Sequence, residues 1–141
     1  MGRFMARDYV TLRKVDVGGV ERWDEISVTW IQLKSSIVRV TKHDGRHKVT
    51  GFVLNDGTPI ESVEISIDGG DWRRAEIDPD SSQYSWKLFY LDWDDATLGE
   101  HTLVSRVTDV NGQVQATADQ LPEKVTRWEN YGQFPRTVMI S

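Results

Sequence analysis

The sequence lacks cysteine altogether: none of its 141 residues is Cys. Disulfides, thiolate metal sites and cysteine nucleophiles are therefore excluded from this chain. Long apolar runs are also missing, since none approaches the roughly 18 residues of a membrane span. The N-terminus, MGRFMARDYV, has no apolar block of the kind found in signal peptides. We therefore expect no membrane contact and no targeting segment in this chain.

Clusters of basic residues are scarce as well. The chain has 17 Lys and Arg against 22 Asp and Glu, a net charge of −5. Because binding to a phosphate backbone needs a basic stripe, we predict no nucleic-acid partner. No Gly-x-Ser-x-Gly elbow and no phosphate-binding glycine loop occurs. We predict no catalytic, cofactor-binding or metal-binding residue in this chain.

Short alternating runs of apolar and polar residues dominate the sequence, which is typical of β-strands. In the run from Ile60 to Ile67, Val63, Ile65 and Ile67 share one face and polar residues occupy the other. Similar runs cover Ile26 to Leu33, Ile37 to Thr41, His47 to Leu54, Trp72 to Ile77, Tyr84 to Trp93, Thr102 to Val110 and Thr137 to Ile140. These runs predict an all-β protein.

Turn-forming residues separate the runs at intervals of about 8–12 residues, the spacing of an immunoglobulin-like sandwich. Asp44-Gly45, Asp56-Gly57 and Asn111-Gly112 are examples. We predict a two-layer antiparallel β-sandwich of the immunoglobulin-like E-set type over residues 33–141. Residues 1–32 have only a weak apolar pattern and are interpreted as an N-terminal arm, or as the end of a missing neighbour.

Candidate metal ligands have ordinary explanations. His43, His47 and His101 do not share one element with ligand spacing, and the first two flank a turn, so we interpret those two as solvated turn residues. The three carboxylates of residues 92–95 could hold calcium, but their spacing matches no EF-hand loop. We interpret them as a plain acidic loop.

Tryptophan is unusually frequent, with six residues. Trp72 and Trp86 fall at predicted strand positions and are expected in the core. The run from Tyr84 to Trp93 is apolar on both of its faces. One face carries Trp86, Leu88 and Tyr90, and the other carries Phe89, Leu91 and Trp93. A sandwich strand needs only one apolar face, so the second must meet the arm, another subunit or a flat ligand such as sugar rings.

The segment from Val63 to Ala75 resembles the C-terminal dimerisation domain of sulfite oxidase-type molybdenum enzymes. That family carries a V-E-[VI]-S-x-D-G-G stretch followed by Trp and Ala, matched here by Asp68, Gly69, Gly70 and Trp72.

Three further pieces follow in the family's order. Tyr84-Ser85-Trp86 and then Gly99-Glu100-His101 resemble a strand and the G-x-H segment after it. The R-A-x-D-x-x-G-x-x-Q stretch is matched by Arg106, Asp109, Gly112 and Gln115, with Val107 in place of Ala. The W-N-x-x-G ending is matched by Trp128, Asn130 and Gly132, with Glu129 inserted. The resemblance covers about Leu33 to the end of the chain.

The resemblance implies a module that pairs with its own copy to dimerise a molybdopterin-dependent oxidoreductase. In this family a cysteine of the preceding catalytic domain holds the molybdenum of the pterin cofactor, so the cofactor belongs to that missing domain. Residues 1–32 would then be the tail of the catalytic domain or its linker. Animal members place an Arg of the anion pocket where Tyr131 lies here. A periplasmic location would agree with the family.

The second apolar face of the Tyr84 to Trp93 run is the predicted homodimer interface, with Phe89, Leu91 and Trp93 as its candidate residues. Two other functions remain open at this stage. One is a carbohydrate- or ligand-binding sandwich that uses an exposed Trp, and the other is an adhesion module of the immunoglobulin type. Fold alone cannot choose among them, because sandwiches carry many functions.

Overall fold

The structure is a computed structural model that describes residues 10–27, 31–121 and 130–141. These residues form nine strands: β1 (Val10–Val17), β2 (Val20–Ser27), β3 (Lys34–His43), β4 (Arg46–Leu54), β5 (Ile60–Ile67), β6 (Arg73–Ile77), β7 (Lys87–Trp93), β8 (Gly99–Asp109) and β9 (Arg136–Ile140). In the described ranges there is no helix long and apolar enough to cross a membrane.

The strands form two antiparallel assemblies. β1 pairs with β2, and the other strands follow the order β3-β4-β7-β6-β5-β8-β9. The sheet folds over at β6, where Ile77 pairs with Phe89 of β7 while Ala75 pairs with Val63 of β5. The two layers are therefore β3-β4-β7 and β5-β8-β9, joined along β6. The predicted all-β fold, an antiparallel sandwich compatible with the immunoglobulin-like type, is confirmed.

Apolar side chains from both layers fill the space between them. The buried core consists of Leu33, Ile37, Val49, Val53, Val63, Ile65, Ala75, Phe89, Trp93, Leu103, Val107 and Ile140. The prediction that Val63 and Ile65 of β5 point inward is confirmed. Ser66, expected outside, is buried, and its hydroxyl donates to the Gly70 carbonyl at 2.8 Å. This bond satisfies the hydroxyl where the chain leaves β5.

One predicted strand at the end of the N-terminal segment is not formed. The predicted strand from Ile26 to Leu33 is wrong, because β2 ends at Ser27 and residues 31–33 are not in a strand. Residues 10–27 form a β-hairpin whose turn is Gly18-Gly19, with φ of 66° and 85°. Glycine is suited to these left-handed angles because it has no Cβ. The arm is thus a hairpin with regular strand pairing.

Two turns singled out in the sequence are formed as the motifs suggest. Asp68 and Gly69 have φ of 52° and 71°, and the Gly70 amide donates to the Ile67 carbonyl at 2.9 Å. Of the two glycines, Gly69 and Gly70, it is therefore Gly69 that needs a left-handed backbone. In the β8 turn, Asp109 accepts two backbone amides while Gly112 has a φ of 80°.

A buried polar network closes the sandwich opposite β6. The Ser35 hydroxyl of β3 lies 2.9 Å from the Ser105 hydroxyl of β8 and 2.7 Å from Gln115 Oε1. The Gln115 amide nitrogen donates to the Tyr131 and Gly132 carbonyls. Gln115 is thus a structural residue, since it joins both layers to the C-terminal segment.

Candidate functional site

β7 places the predicted interface face inside the molecule. Phe89 and Trp93 are 0% and 2% exposed, and Leu91 packs against the same core. Side chains buried within one chain cannot contact a second copy without unfolding. The assignment of the dimer interface to Phe89 and Trp93 is therefore wrong, while that of the partly buried Leu91 stays a prediction.

The strand paired with β7 explains why Phe89 points inward. Phe89 lies directly opposite Gly51 of β4 on the inner face. A Cβ at Gly51 would collide with the Phe89 ring and would lie 2.5 Å from the Ser36 carbonyl oxygen. The absence of a side chain at Gly51 thus leaves the space that the phenyl ring occupies.

The opposite face of the β4–β7 pair carries an aromatic patch, which we define as Phe52, Trp86 and Leu88. Tyr84 lies in the turn that precedes β7. Phe52 pairs with Leu88 across the sheet, and the Phe52 and Trp86 rings stack at 5.0 Å. Trp86 is 64% exposed and Tyr84 is 80% exposed. The expectation that Trp86 lies in the core is wrong, because it directly precedes β7 and packs against Phe52 on the outside of the sheet.

Lys87 holds the segment that presents this aromatic patch. Its ammonium nitrogen is buried within 3.4 Å of the Asn55 side-chain oxygen and of three backbone carbonyls, those of Ser82, Gln83 and Ser85. The ammonium has three N–H groups for these four acceptors, so two of the acceptors share one N–H. Lys87 therefore fixes the backbone of residues 82–86, the segment that contains Tyr84 and Trp86.

The other end of β7 carries a histidine–carboxylate pair that sequence reasoning missed. His101 Nδ1 of β8 lies 2.6 Å from Asp68 Oδ2, and His101 Nε2 lies 2.9 Å from the Thr97 carbonyl oxygen. The other Asp68 oxygen accepts the Thr102 amide at 2.8 Å. Hydrogen bonding to Asp68 raises the pKa of His101, and the same bond lowers the pKa of Asp68.

Two histidines flank the buried indole of Trp93. The His101 ring meets it edge to face at 5.0 Å, and the His47 ring lies 6.2 Å away on a tilted plane. His47 is only 8% exposed, so its interpretation as a solvated turn residue is wrong, whereas His43 is exposed as predicted. The register of β4 decides the difference, because His47 shares the inward face of Val49.

The carboxylates of residues 92–95 are engaged separately. Asp95 makes a bidentate contact with Arg73 at 2.6 and 2.7 Å, which lowers the pKa of Asp95. Asp92 lies 3.5 Å from the Lys48 ammonium. Within the described ranges, no three His, Asp or Glu side chains are grouped so as to hold a metal ion.

Trp72 lies half-buried on the outer face of the β5–β8 layer and not in the core, where the sequence placed it. The Arg106 guanidinium covers its ring at 4.1 Å and donates to Glu64 at 2.9 Å. Arg106 and Glu64 face each other across the β5–β8 pairing. The family motif residues thus form an outer stack, because a cation favours the face of an indole.

The C-terminal motif is partly described. Trp128 lies outside the described residues. The Asn130 carbonyl accepts the Lys34 ammonium at 2.6 Å, and Tyr131 is half-buried with its carbonyl bonded to Gln115. These contacts anchor the segment to the sandwich. The role of Tyr131 near a substrate pocket stays a prediction.

Comparison with known proteins finds a similar solved structure, the sulfane dehydrogenase SoxCD from Paracoccus pantotrophus. The TM-score is 0.73 and the sequence identity is 26% over 98% of this chain. The match covers 36% of the SoxCD chain, so this chain spans about a third of that length. No family model matches the sequence, and no curated protein matches it. The similarity supports a domain related to part of an oxidoreductase.

Proposed function

We propose that this chain is the dimerisation domain of a sulfite oxidase-like molybdenum-cofactor oxidoreductase and holds no metal site itself. The observation that carries the proposal is the similarity of nearly the whole chain to about a third of sulfane dehydrogenase SoxCD. Sulfite oxidases and a sulfane dehydrogenase both oxidise sulfur compounds, so the ordered sequence motifs and the structural neighbour agree on one class of chemistry.

The molybdenum-pterin cofactor does not fit the residues of this chain. The family's metal ligand is a thiolate, and the sequence has no Cys. The ionisable groups of the motifs have structural partners: Asp68 is bonded to His101, and Arg106 lies between Trp72 and Glu64. We therefore place the cofactor, the substrate and the redox step in a separate catalytic domain of the same protein.

The aromatic patch is the surface that we propose for the homodimer. Clustered aromatic side chains on a soluble sheet mark interaction sites, and Trp and Tyr are enriched among residues that dominate binding energies. The Lys87 ammonium already orders the backbone around Tyr84 and Trp86. Less conformational entropy is then lost on association.

Charges at the two ends of this sheet suit an antiparallel pairing of two copies. The hairpin end of β3 and β4 exposes Arg46 and Lys48 beside Asp44, and the loops at the other end carry Asp56, Asp78 and Asp80. Lys48 already forms an ion pair with Asp92 of its own chain. A two-fold axis through the aromatic patch would bring the basic end of each copy toward the acidic end of the other.

The N-terminal hairpin is proposed as the connection to the catalytic domain. β1 and β2 pair only with each other among the described strands. Thr11 of β1 is buried, whereas Trp23 at 38% exposure and Val20 at 66% present apolar surface. A two-stranded hairpin gains stability from packing against further elements. Packing against a preceding domain would cover that surface.

Replacing Trp86 with Asp is expected to convert the dimer of this chain to a monomer. Truncating a central aromatic side chain of an interface costs about 2 kcal/mol or more, a change of roughly 30-fold in the dissociation constant. An added carboxylate raises that cost because it would be buried without a partner. Sedimentation equilibrium of both proteins over a concentration series measures the change.

Leu98→Asp is the matched control for this experiment. Leu98 is also apolar and is 80% exposed, but it lies in the loop at the opposite end of β7. The control should remain dimeric, and circular dichroism should show folded protein in all three samples. A monomeric wild-type chain, or a Trp86→Asp variant that stays dimeric, would contradict the proposed interface.

The purified chain is expected to bind no molybdenum and to reduce no electron acceptor when sulfite is added, because it lacks the thiolate ligand. Elemental analysis and a dye-reduction assay measure these two properties. The same assays on the complete polypeptide that contains this domain should show molybdenum and sulfur-dependent dye reduction. Molybdenum in the isolated chain, or its absence from the complete polypeptide, would contradict the proposal.

A further inference from the structure

We propose that His101, Asp68 and Thr97 form a pH-sensitive latch that holds two loops together while the imidazole is doubly protonated. The loops are the β5–β6 turn, which contains Asp68, and the β7–β8 loop, which contains Thr97. The inference rests on hydrogen-bond geometry within the sandwich and is independent of the proposed function.

Both ring nitrogens of His101 face groups that accept hydrogen bonds. Nδ1 lies 2.6 Å from a carboxylate oxygen of Asp68, and Nε2 lies 2.9 Å from the backbone carbonyl oxygen of Thr97. A carbonyl oxygen cannot donate, and neither can an ionised carboxylate. With Asp68 ionised, both of these contacts are satisfied when each nitrogen carries a proton, so the geometry fits an imidazolium.

The surroundings of His101 favour this charged form. Its side chain is only 11% exposed, which by itself disfavours the charged ring, but the hydrogen bond and ion pair with Asp68 outweigh that desolvation. From the β7–β8 loop, Asp95 is held by Arg73 and does not reach the ring. From β9, the uncharged Val138 lies opposite His101 in the register. On β4, His47 lies with its ring 6.2 Å from the Trp93 indole, which itself meets the His101 ring edge to face.

Asp68 links the latch to the backbone at two points. Its amide donates to the Thr102 carbonyl and its Oδ1 accepts the Thr102 amide, both at 2.8 Å. Asp68 also has a φ of 52°, a conformation that costs free energy for a residue with a side chain. The side-chain bonds to His101 and Thr102 offset that cost and hold the turn on β8.

Thr97 provides a second arrangement for the neutral ring. Its hydroxyl lies 3.3 Å from His101 Nε2, and a hydroxyl can donate as well as accept. When Nε2 loses its proton, the bond to the Thr97 carbonyl is lost and the hydroxyl can donate to the bare nitrogen. The β7–β8 loop thus has two hydrogen-bonding states, selected by one proton.

The direction of the pH dependence follows from the two shifted groups. The pKa of His101 is raised above 6.5, so the latch is fully formed below that value and weakens as pH rises through the raised pKa. The pKa of Asp68 is lowered below 3.8, so its contribution is present above that value and is lost as pH falls through the lowered pKa. The latch is therefore strongest between these two reference values.

Nitrogen-15 NMR of the histidine side chains in the full chain tests the latch. At about pH 6, below the reference value of 6.5, both His101 nitrogens should show protonated shifts. At higher pH, Nε2 should become the unprotonated nitrogen while Nδ1 keeps its proton, and the backbone amide signals of residues 96–98 should move with the same midpoint. A neutral ring at about pH 6, or a neutral form protonated on Nε2, would overturn the proposal.

Two variants separate the latch from a merely structural histidine. Asp68→Asn should lower the midpoint of the His101 titration, because the carboxylate that stabilises the imidazolium is gone. Thr97→Val keeps the carbonyl acceptor and removes the hydroxyl, so its loop signals should match the wild type at low pH and broaden only above the midpoint. An unchanged midpoint in a folded Asp68→Asn variant would overturn the proposal. If that variant does not fold, the wild-type tautomer and Thr97→Val decide it.

Discussion

Replacing Phe89 with Ala is expected to lower the free energy of unfolding by about 3–5 kcal/mol, the range found when a buried Phe is truncated in a packed core. Phe89 is 0% exposed and lies across from Gly51, so the directly opposite position of the paired strand has no side chain to fill the space left behind. Since a domain of this size is stable by only about 5–15 kcal/mol, the loss is a large fraction of the total. Urea unfolding followed by circular dichroism measures it.

Leu98→Ala is the control for this prediction. It removes a comparable apolar side chain from a position that is 80% exposed, where substitutions usually change stability by about 0.5 kcal/mol or less. Each variant is measured at two protein concentrations, because the proposed dimerisation would add a concentration-dependent contribution to the free energy of unfolding. Equal effects at the two positions would contradict the burial of Phe89.

Replacing Gly51 with Ala is expected to lower the free energy of unfolding by about 3 kcal/mol, the upper part of the usual range for overpacking a core. The new methyl group would collide with the Phe89 ring and would lie 2.5 Å from the Ser36 carbonyl oxygen. A backbone carbonyl in a paired strand cannot move aside without breaking the sheet. Thermal unfolding monitored by calorimetry provides the measurement.

A double-mutant cycle identifies the clash with Phe89 as a cause. Phe89→Leu removes the ring atoms that the new methyl group would meet. The cost of Gly51→Ala should therefore be smaller by about 1 kcal/mol in that background, within the range seen for contacting residues. If the two substitutions are additive, the ring does not limit the space at Gly51.

The fold class could be predicted because local patterns carry it. Val63 and Ile65 alternate with polar residues, and both point into the core as the pattern indicates. The turn at Asp68-Gly69 was likewise visible, because Gly tolerates a positive φ that most residues avoid. Such features depend on residues that are close in sequence. The alternation of apolar residues and the spacing of the turns were therefore enough to predict a β-sandwich.

The candidate site was less accessible to such reasoning. The outer stack of Trp72 on Arg106 and the bond between His101 and Asp68 join residues that are 34 and 33 positions apart. The G-x-H segment of the resemblance includes His101 and was the one signal that could have drawn attention to it. Its partner could be known only from the β5–β8 register, which places Ile67 beside Leu103.

By itself, the sequence determined that this chain is an all-β protein without thiolate chemistry, because composition and period-two alternation do not depend on distant neighbours. Only the tertiary structure decided which face of β7 is buried. Both faces are apolar, so the free energy gained by burying apolar side chains does not favour one face over the other. The choice depends on the paired strand, where Gly51 leaves space for Phe89 on one side and Phe52 stacks with Trp86 on the other.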